Sequence, residues 1–318
     1  MDIFHSDIEQ SICLQVDRYV ELETNEALRT IRVFQDASFP FILQQVHMAD
    51  LSLGRIPWHW HDELEIIYAF SQTIEVRTDR SSYTLAKGDA CFINTDVLHS
   101  VISADPNATF LYFRFHSYLL FPKPNSNLAS AYYQPILHDS AIGSLFFDHL
   151  VEAHSDILSS IRSIIHLYAT REPAYEIKIA GSLYYMWAHL YDIAQNSIRQ
   201  VPHKESSQDS QRIKDAISFI AQNYATPLTL QDIADVIHVS RNECCRCFQR
   251  AVGYSPIEYL MHYRILESTR KIKSKEAAAE SISALAASCG FNNTSYFNKL
   301  FKRYTSVTPL EYKKRFCK

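Results

Sequence analysis

Two histidines at alternate positions, His59 and His61, stand with Glu65 in the tract Gly54-Arg55-Ile56-Pro57-Trp58-His59-Trp60-His61-Asp62-Glu63-Leu64-Glu65. Alternate residues of a strand share a face, so the two imidazoles would look the same way. Imidazole and carboxylate together suit iron, manganese or nickel. A second tract, Gly88-Asp89-Ala90-Cys91-Phe92-Ile93-Asn94-Thr95-Asp96-Val97-Leu98-His99, supplies another histidine. A different chemistry lies downstream, where Asn242, Cys245, Arg246 and Gln249 share one face of a helical pattern whose other face carries Cys244, Cys247, Phe248 and Ala251. Arginine and side-chain amides bond bidentately to guanine and adenine edges in the major groove, although simple solvent exposure gives the same polar face. Thr294, Ser295, Asn298 and Lys299 repeat the arrangement outside Phe297, Leu300 and Phe301. Cys244, Cys245 and Cys247 also invite a metal or redox reading, against which stand the missing fourth ligand and the burial expected for two of them.

The elements that must position these groups change in kind along the chain. From residue 39 to about 116, FILQQVHMADL, LEIIYAF, QTIEVRT, SYTLA, DACFIN and FLYFRFH are short β-branched or aromatic runs separated by turn signals such as Lys87-Gly88-Asp89, the spacing of an all-β sandwich or barrel. Helical spacing is expected from Ile142 to about Tyr168 and from Ala174 to about Gln195, broken at Arg171-Glu172-Pro173. This helix pair would either cover the barrel or join a second subunit. Residues 198–209 are polar and read as a linker. Beyond them Thr229 and Ser240 are helix caps, His238-Val239 a short turn, and Gly253 a helix end. Ser281 caps a second unit, and Gly290 supplies its turn. A long amphipathic helix from Pro256 to about Lys273 would hold the two readers apart, letting them enter successive major-groove segments about 34 Å apart.

At 318 residues the chain exceeds one ordinary core, so two domains are expected. The net charge of -4 conceals a segregation, with 14 Lys and Arg against 26 Asp and Glu in residues 1–209, and 17 against 9 in residues 210–318. A basic C-terminal half on an acidic body suits a polyanion, because neutralised phosphates release counterions. No signal peptide and no apolar membrane span are evident, and seven cysteines, an odd set in which the one CxxC spacing (Cys244 and Cys247) has no second to pair with, fit reduced thiols, so a cytoplasmic chain is expected.

Residues 211–316 resemble the AraC/XylS family of transcription regulators in order and spacing. The first half of the match rests on Leu230, Ile233, Ala234, Ser240, Phe248, Gly253, Pro256, Tyr259, Arg264 and Ile265. The second half rests on Ile282, Leu285, Ala286, Gly290, Phe291, Tyr296, Phe297, Phe301, Lys302, Pro309 and Tyr312. Two departures stand out: Cys244 and Cys247 replace larger apolar residues, and Tyr304-Thr305-Ser306 replaces a glycine region. By this resemblance Asn242, Cys245, Arg246 and Gln249 hold the first unit's base-reading positions, and Thr294, Ser295, Asn298 and Lys299 the second's. Lys302 and Arg303 suit phosphates.

The histidine tracts resemble cupin barrels, where two His, a Glu and a later His hold a metal; here these would be His59, His61, Glu65 and His99. Gln72 and Asn94 take the places of that pattern's glycine and proline. Sensor domains of AraC-like regulators often keep the histidines without metal and bind a small effector inside the barrel. Three readings therefore stand: a metal site, an effector pocket using these four residues with Trp60 and Tyr68, or structural histidines.

The fold class these patterns imply is α+β multidomain. A cupin-like effector-binding barrel (1–140) is followed by a helix pair that would dimerise (141–197), the linker (198–209) and an all-α DNA-binding domain with two helix-turn-helix units (210–318). The resemblance implies a transcription activator with double-stranded DNA, RNA polymerase and a carbohydrate or related metabolite as partners, acting as a homodimer, with no resident cofactor and no enzymatic activity. The alternatives are a metal-dependent cupin enzyme with a DNA-binding tail, and a ligand-independent regulator.

Overall fold

The computed structural model describes residues 16–19, 29, 30, 34, 38–51, 53–123, 125–137, 139, 142–198, 207–274 and 280–316. Contacts divide the chain into two compact units, one of residues 1–23, 30–50 and 59–206, the other of residues 24–29, 51–58 and 207–318. Among the described residues no helix is long and apolar enough to cross a membrane.

The strands are β1 (Asp17–Arg18), β2 (Phe41–His47), β3 (Arg55–His59), β4 (Leu64–Ser71), β5 (Ile74–Thr78), β6 (Ser82–Leu85), β7 (Ala90–Ile93), β8 (His99–Ile102), β9 (Thr109–Phe115) and β10 (Ser144–Phe147). They form a six-stranded sheet in the order β1-β2-β9-β4-β7-β10 and a four-stranded sheet in the order β3-β8-β5-β6. In the larger sheet the two-residue period divides each strand between two environments. Phe41 and Leu43 of β2, Leu64, Ile66 and Tyr68 of β4, Ala90 and Phe92 of β7, and Leu111, Phe113 and Phe115 of β9 lie in one hydrophobic core. The intervening Gln44, Glu65, Cys91, Tyr112 and Arg114 are equally buried but belong to the opposite face.

A short helix, α1 (Gln134–Leu137), precedes β10, and the helices α2 (Ser155–Thr170) and α3 (Tyr175–Ile198) follow it. Ile157, Ile161, Ile164 and Leu167 of α2 and Leu183, Met186, Trp187 and Leu190 of α3 enter the same core as the sheet's apolar face. The inner stripes of the helix pair thus cover the larger sheet. The helical pattern expected from Ile142 starts only at Ser155, because Ser144–Phe147 is a strand. It pairs antiparallel with β7, and its burial alternates, with Leu145 and Phe147 inward. Such a short apolar run does not distinguish the two periods by itself. Most of the expected linker lies outside the described residues, and the next helix, α4 (Ser207–Asn223), begins before the expected position 210.

The second unit continues with α5 (Leu230–Val236), α6 (Arg241–Val252), α7 (Pro256–Lys273), α8 (Ile282–Ser288), α9 (Thr294–Thr305) and α10 (Pro309–Phe316). Its helix starts are locally encoded. Thr229 and Asp232 form a reciprocal capping box, Ser255 and Glu258 another, and Ser240, Ser281 and Asn293 each accept a backbone N–H. Each such cap contributes about 1 kcal/mol.

An arginine of α7 anchors the chain that leaves α4. Arg264 of α7 donates from Nε to the Tyr224 carbonyl at 2.7 Å and from Nη2 to the Thr226 carbonyl at 2.8 Å, satisfying oxygens just past the end of α4. Gly290 follows α8 with φ +79°, and a Cβ there would stand 2.5 Å from the Tyr224 carbonyl oxygen and 2.9 Å from Arg264 Nε. Ser306, in the tract that replaces the family's glycine region, has φ +64°, a conformation that strains any residue with a Cβ. Chemical denaturation of the full chain should therefore show Gly290→Ala destabilised by about 2–4 kcal/mol, since it combines backbone strain with a clash against fixed backbone. Ser306→Gly should instead be neutral or stabilising by up to about 1 kcal/mol; a large loss there would contradict the strain.

Candidate functional site

The histidines and Glu65 meet between the two sheets of the first unit. His59 ends β3, His99 opens β8, His61 follows β3, and Glu65 lies on β4; all four are buried. One ligand atom from each comes within 4.8 Å of the others. Glu65 Oε2 is 2.7 Å from His61 Nε2 and 3.0 Å from His99 Nε2. On their far sides the same rings face backbone carbonyls, His61 Nδ1 at 3.0 Å from Glu63 O and His99 Nδ1 at 2.8 Å from Val97 O.

A neutral imidazole carries one N–H, yet each of these rings has acceptors at both nitrogens. If the Nδ1–H groups donate to the carbonyls, two Nε2 lone pairs face a carboxylate, which requires a proton or a cation between them. Such carbonyl anchoring is how metal-ligating histidines are commonly oriented. Two ligands about 2.1 Å from one ion at about 90° lie about 3.0 Å apart, so the Glu65–His61 and Glu65–His99 separations are of the size expected for donors sharing one divalent ion, with His59 close by. They equally fit polar groups of a bound organic molecule. The second metal-type grouping, Asp89, Asp148 and His149, already has work: Asp89 accepts from Ala86 N at 2.8 Å, His149 N at 2.9 Å and His149 Nδ1 at 2.6 Å, fixing a turn.

Trp60 is buried between His59 and His61 in sequence. Tyr68 is not with them. It lies three positions beyond Glu65, and an odd step along a strand reverses the face, so its ring belongs to the apolar core with Ile66 and Phe92. Arg114 was absent from the residues expected at this site. It is opposite Glu65 in the β4–β9 register, on Glu65's face, and 2 % exposed. The available signal was an arginine in phase with Tyr112 inside the otherwise apolar run FLYFRFH.

In the second unit Cys244, Cys247 and Phe248 of α6 are buried, with Val252 in place of the expected Ala251, while Asn242, Arg246 and Gln249 are exposed and Cys245 half-buried. Burial pushes the Cys244 thiol up to about 12 and raises that of Cys247 as well. Protonated thiols are poor metal ligands. Arg246 is paired with Glu243 on its own helix at 2.7 Å. On α9, Phe297, Leu300 and Phe301 are buried, while Ser295, Asn298, Lys299, Lys302 and Arg303 are exposed and Thr294 half-buried. The structure thus gathers each set of polar residues on one open helix face.

Burial lowers the pKa of His61 against the pull of Glu65. Burial alone would raise Glu65, but hydrogen bonds from His61 and His99 hold its carboxyl well below the usual range. In both cases the unfolded chain takes up the proton first, so stability is full above the unfolded values and falls as pH drops, for His61 below about 6.5 and for Glu65 below about 4.3. Circular-dichroism melts in chelator should show the first unit's midpoint falling between pH 7 and 5, with a shallower fall in His61→Gln. An unchanged slope in the variant would mean that His61 is not the group held neutral.

Known families agree with both units. An AraC-like ligand binding domain matches residues 45–185, and a helix-turn-helix domain matches residues 233–315. The uncharacterized HTH-type transcriptional regulator YdeC of Bacillus subtilis is 29% identical over 262 residues, covering 82% of this chain and 87% of that one. The lactose operon transcription activator of Staphylococcus xylosus is 24% identical over 161 residues, covering 50% of this chain and 56% of its own. Among solved structures, ToxT from Vibrio cholerae aligns over 88% of this chain and 100% of its own at 14% identity, with a TM-score of 0.42. With its N-terminal ligand-binding domain and its C-terminal pair of helix-turn-helix units, the chain belongs to the AraC family of transcription regulators.

Proposed function

We propose that this regulator is an activator whose affinity for its DNA site is set by a small carbohydrate or related metabolite bound between the two sheets of the first unit. The observation that carries the reading is the buried cluster of polar side chains, His59, His61, Glu65, His99 and Arg114, on the inner face of the β unit. Buried polar groups demand partners, and convergent polar groups in an apolar interior are the usual make-up of a small-molecule site. The likeness to regulators of lactose and raffinose operons supports a sugar-type effector and activation. In this reading RNA polymerase is the activated partner and two copies act together. The effector works by binding the DNA-competent state more tightly than the other, since equal affinity would shift nothing.

For the DNA step, Asn242, Cys245, Arg246 and Gln249 read bases in one half-site and Thr294, Ser295, Asn298 and Lys299 in the next, with Lys302 and Arg303 on phosphates. Gel-shift titrations of the full chain on DNA upstream of its own and neighbouring genes test this. Arg246→Ala and Lys299→Ala should each cost about 1–3 kcal/mol at the specific site and relax its sequence preference. Lys302→Ala should weaken all sequences alike and reduce the salt slope by about 1. Substitutions without effect on a site the wild type prefers would overturn the assignment.

A second reading, favoured by the doubly accepted histidine rings, is that a divalent ion held by His59, His61, Glu65 and His99 completes the cluster. The ion would neutralise the carboxylate and present an open position to the effector. Protein purified without chelator or nickel resin should then contain about one Mn, Fe or Ni per chain, and His61→Ala with Glu65→Ala should abolish it. Substoichiometric metal in the wild type would exclude this reading while leaving the effector site standing.

A further inference from the structure

Arg114 points from β9 into the space between the sheets and leaves two nitrogens, Nε and Nη2, buried without a hydrogen-bond partner. These two are not an arbitrary pair. Nε–H and the adjacent N–H of Nη2 form one edge of the guanidinium, a planar fork that matches the two oxygens of a carboxylate. An arginine stays charged even when buried, and an unmade hydrogen bond to a charged buried donor is more costly than to a neutral one. Glu65 stands directly opposite on β4, but these two nitrogens make no hydrogen bond to it, and its Oε2 is engaged by His61 and His99.

The surroundings narrow the class further. The guanidinium carbon lies 5.3 Å from the centroid of the Tyr112 ring, and the Tyr112 hydroxyl donates to Gln44 Oε1 on β2. Gln44 and Tyr112 are register partners on the face that Arg114 and Glu65 share. A phenol and an amide beside an arginine fork are suited to hydroxyl groups next to an acid.

We propose that the Nε–Nη2 edge of Arg114 receives the carboxylate of the effector, and that this regulator therefore responds to a hydroxylated organic acid of the sugar-acid type. The proposal rests on the reading that the effector binds between the sheets. It goes beyond that reading by placing the recognised charge on a residue outside the histidine cluster. Lysine at position 114 would keep the charge but lose the fork.

Thermal-shift and calorimetric titrations of the full chain test it with galacturonate against galactose and gluconate against glucose, beside acetate and inorganic phosphate as plain anions. The acids should raise the midpoint and bind at least about tenfold more tightly than their neutral partners, a difference of about 1.4 kcal/mol. Arg114→Gln should abolish that preference, and Arg114→Lys should retain only part of it. Gel shifts on the regulator's DNA report whether each variant is folded. Equal binding of a neutral sugar and its acid, or an acid preference surviving in Arg114→Gln, overturns the carboxylate assignment and leaves the effector site intact. Acetate and phosphate acting as well as the sugar acids would mean an adventitious ion only. No response to any compound, in protein that still binds its DNA, overturns the acid assignment and counts against the effector reading itself.

Discussion

Burying Glu65 between two sheets imposes a requirement that the rest of the first unit is arranged to meet. A carboxylate removed from water loses several kcal/mol of solvation unless opposite charge and hydrogen bonds replace it. His61 and His99 supply contacts from two separate connections of the chain, and Arg114 stands across the register. Each histidine ring is held in turn by a backbone carbonyl, so the loops around Glu63 and Val97 are fixed by the same charge. A site organised in this way is pre-set before any ligand arrives, which lowers the ordering cost of binding.

The same strands serve two masters because of their period. On β4 the apolar Leu64, Ile66 and Tyr68 hold the helix pair, while Glu65 alternates with them and faces the other way. On β9, Leu111, Phe113 and Phe115 alternate likewise with Tyr112 and Arg114. Any shift of register between β4 and β9 would exchange the polar and apolar faces at once. The fold of the barrel and the chemistry of its interior are therefore one specification.

Features encoded by neighbours in the chain were legible before the structure. Thr229 with Asp232, Ser240, Ser255 and Ser281 announce helix starts because a cap bonds within its own first turn. His59 and His61 are legible as a same-face pair because alternation needs no partner strand. What escaped is what distant contacts decide. The strand Ser144–Phe147 exists because β7 offers an edge to pair with, and nothing local in that apolar run says so. Arg114 reads as one charge in an aromatic strand until the register sets it against Glu65. Tyr68 is one of several aromatics that alternate along these strands, and only the odd step from Glu65 assigns its ring to the apolar core.

If Arg246 reads a base as proposed, its ion pair with Glu243 on α6 has a consequence for how the protein would search a chromosome. Exposed pairs of this kind are weak, about 0–1 kcal/mol, so a guanine edge can take the arginine away at little expense. Where the groove offered no such edge, the guanidinium would return to its own carboxylate, and Glu243 would be left close to the DNA's negative charge. On that reading the helix carries its own competitor for the arginine, which would shorten its stay on wrong sequences more than on the right one. Discrimination of that sort acts through dissociation, independently of how strongly the basic second unit is drawn to DNA in general.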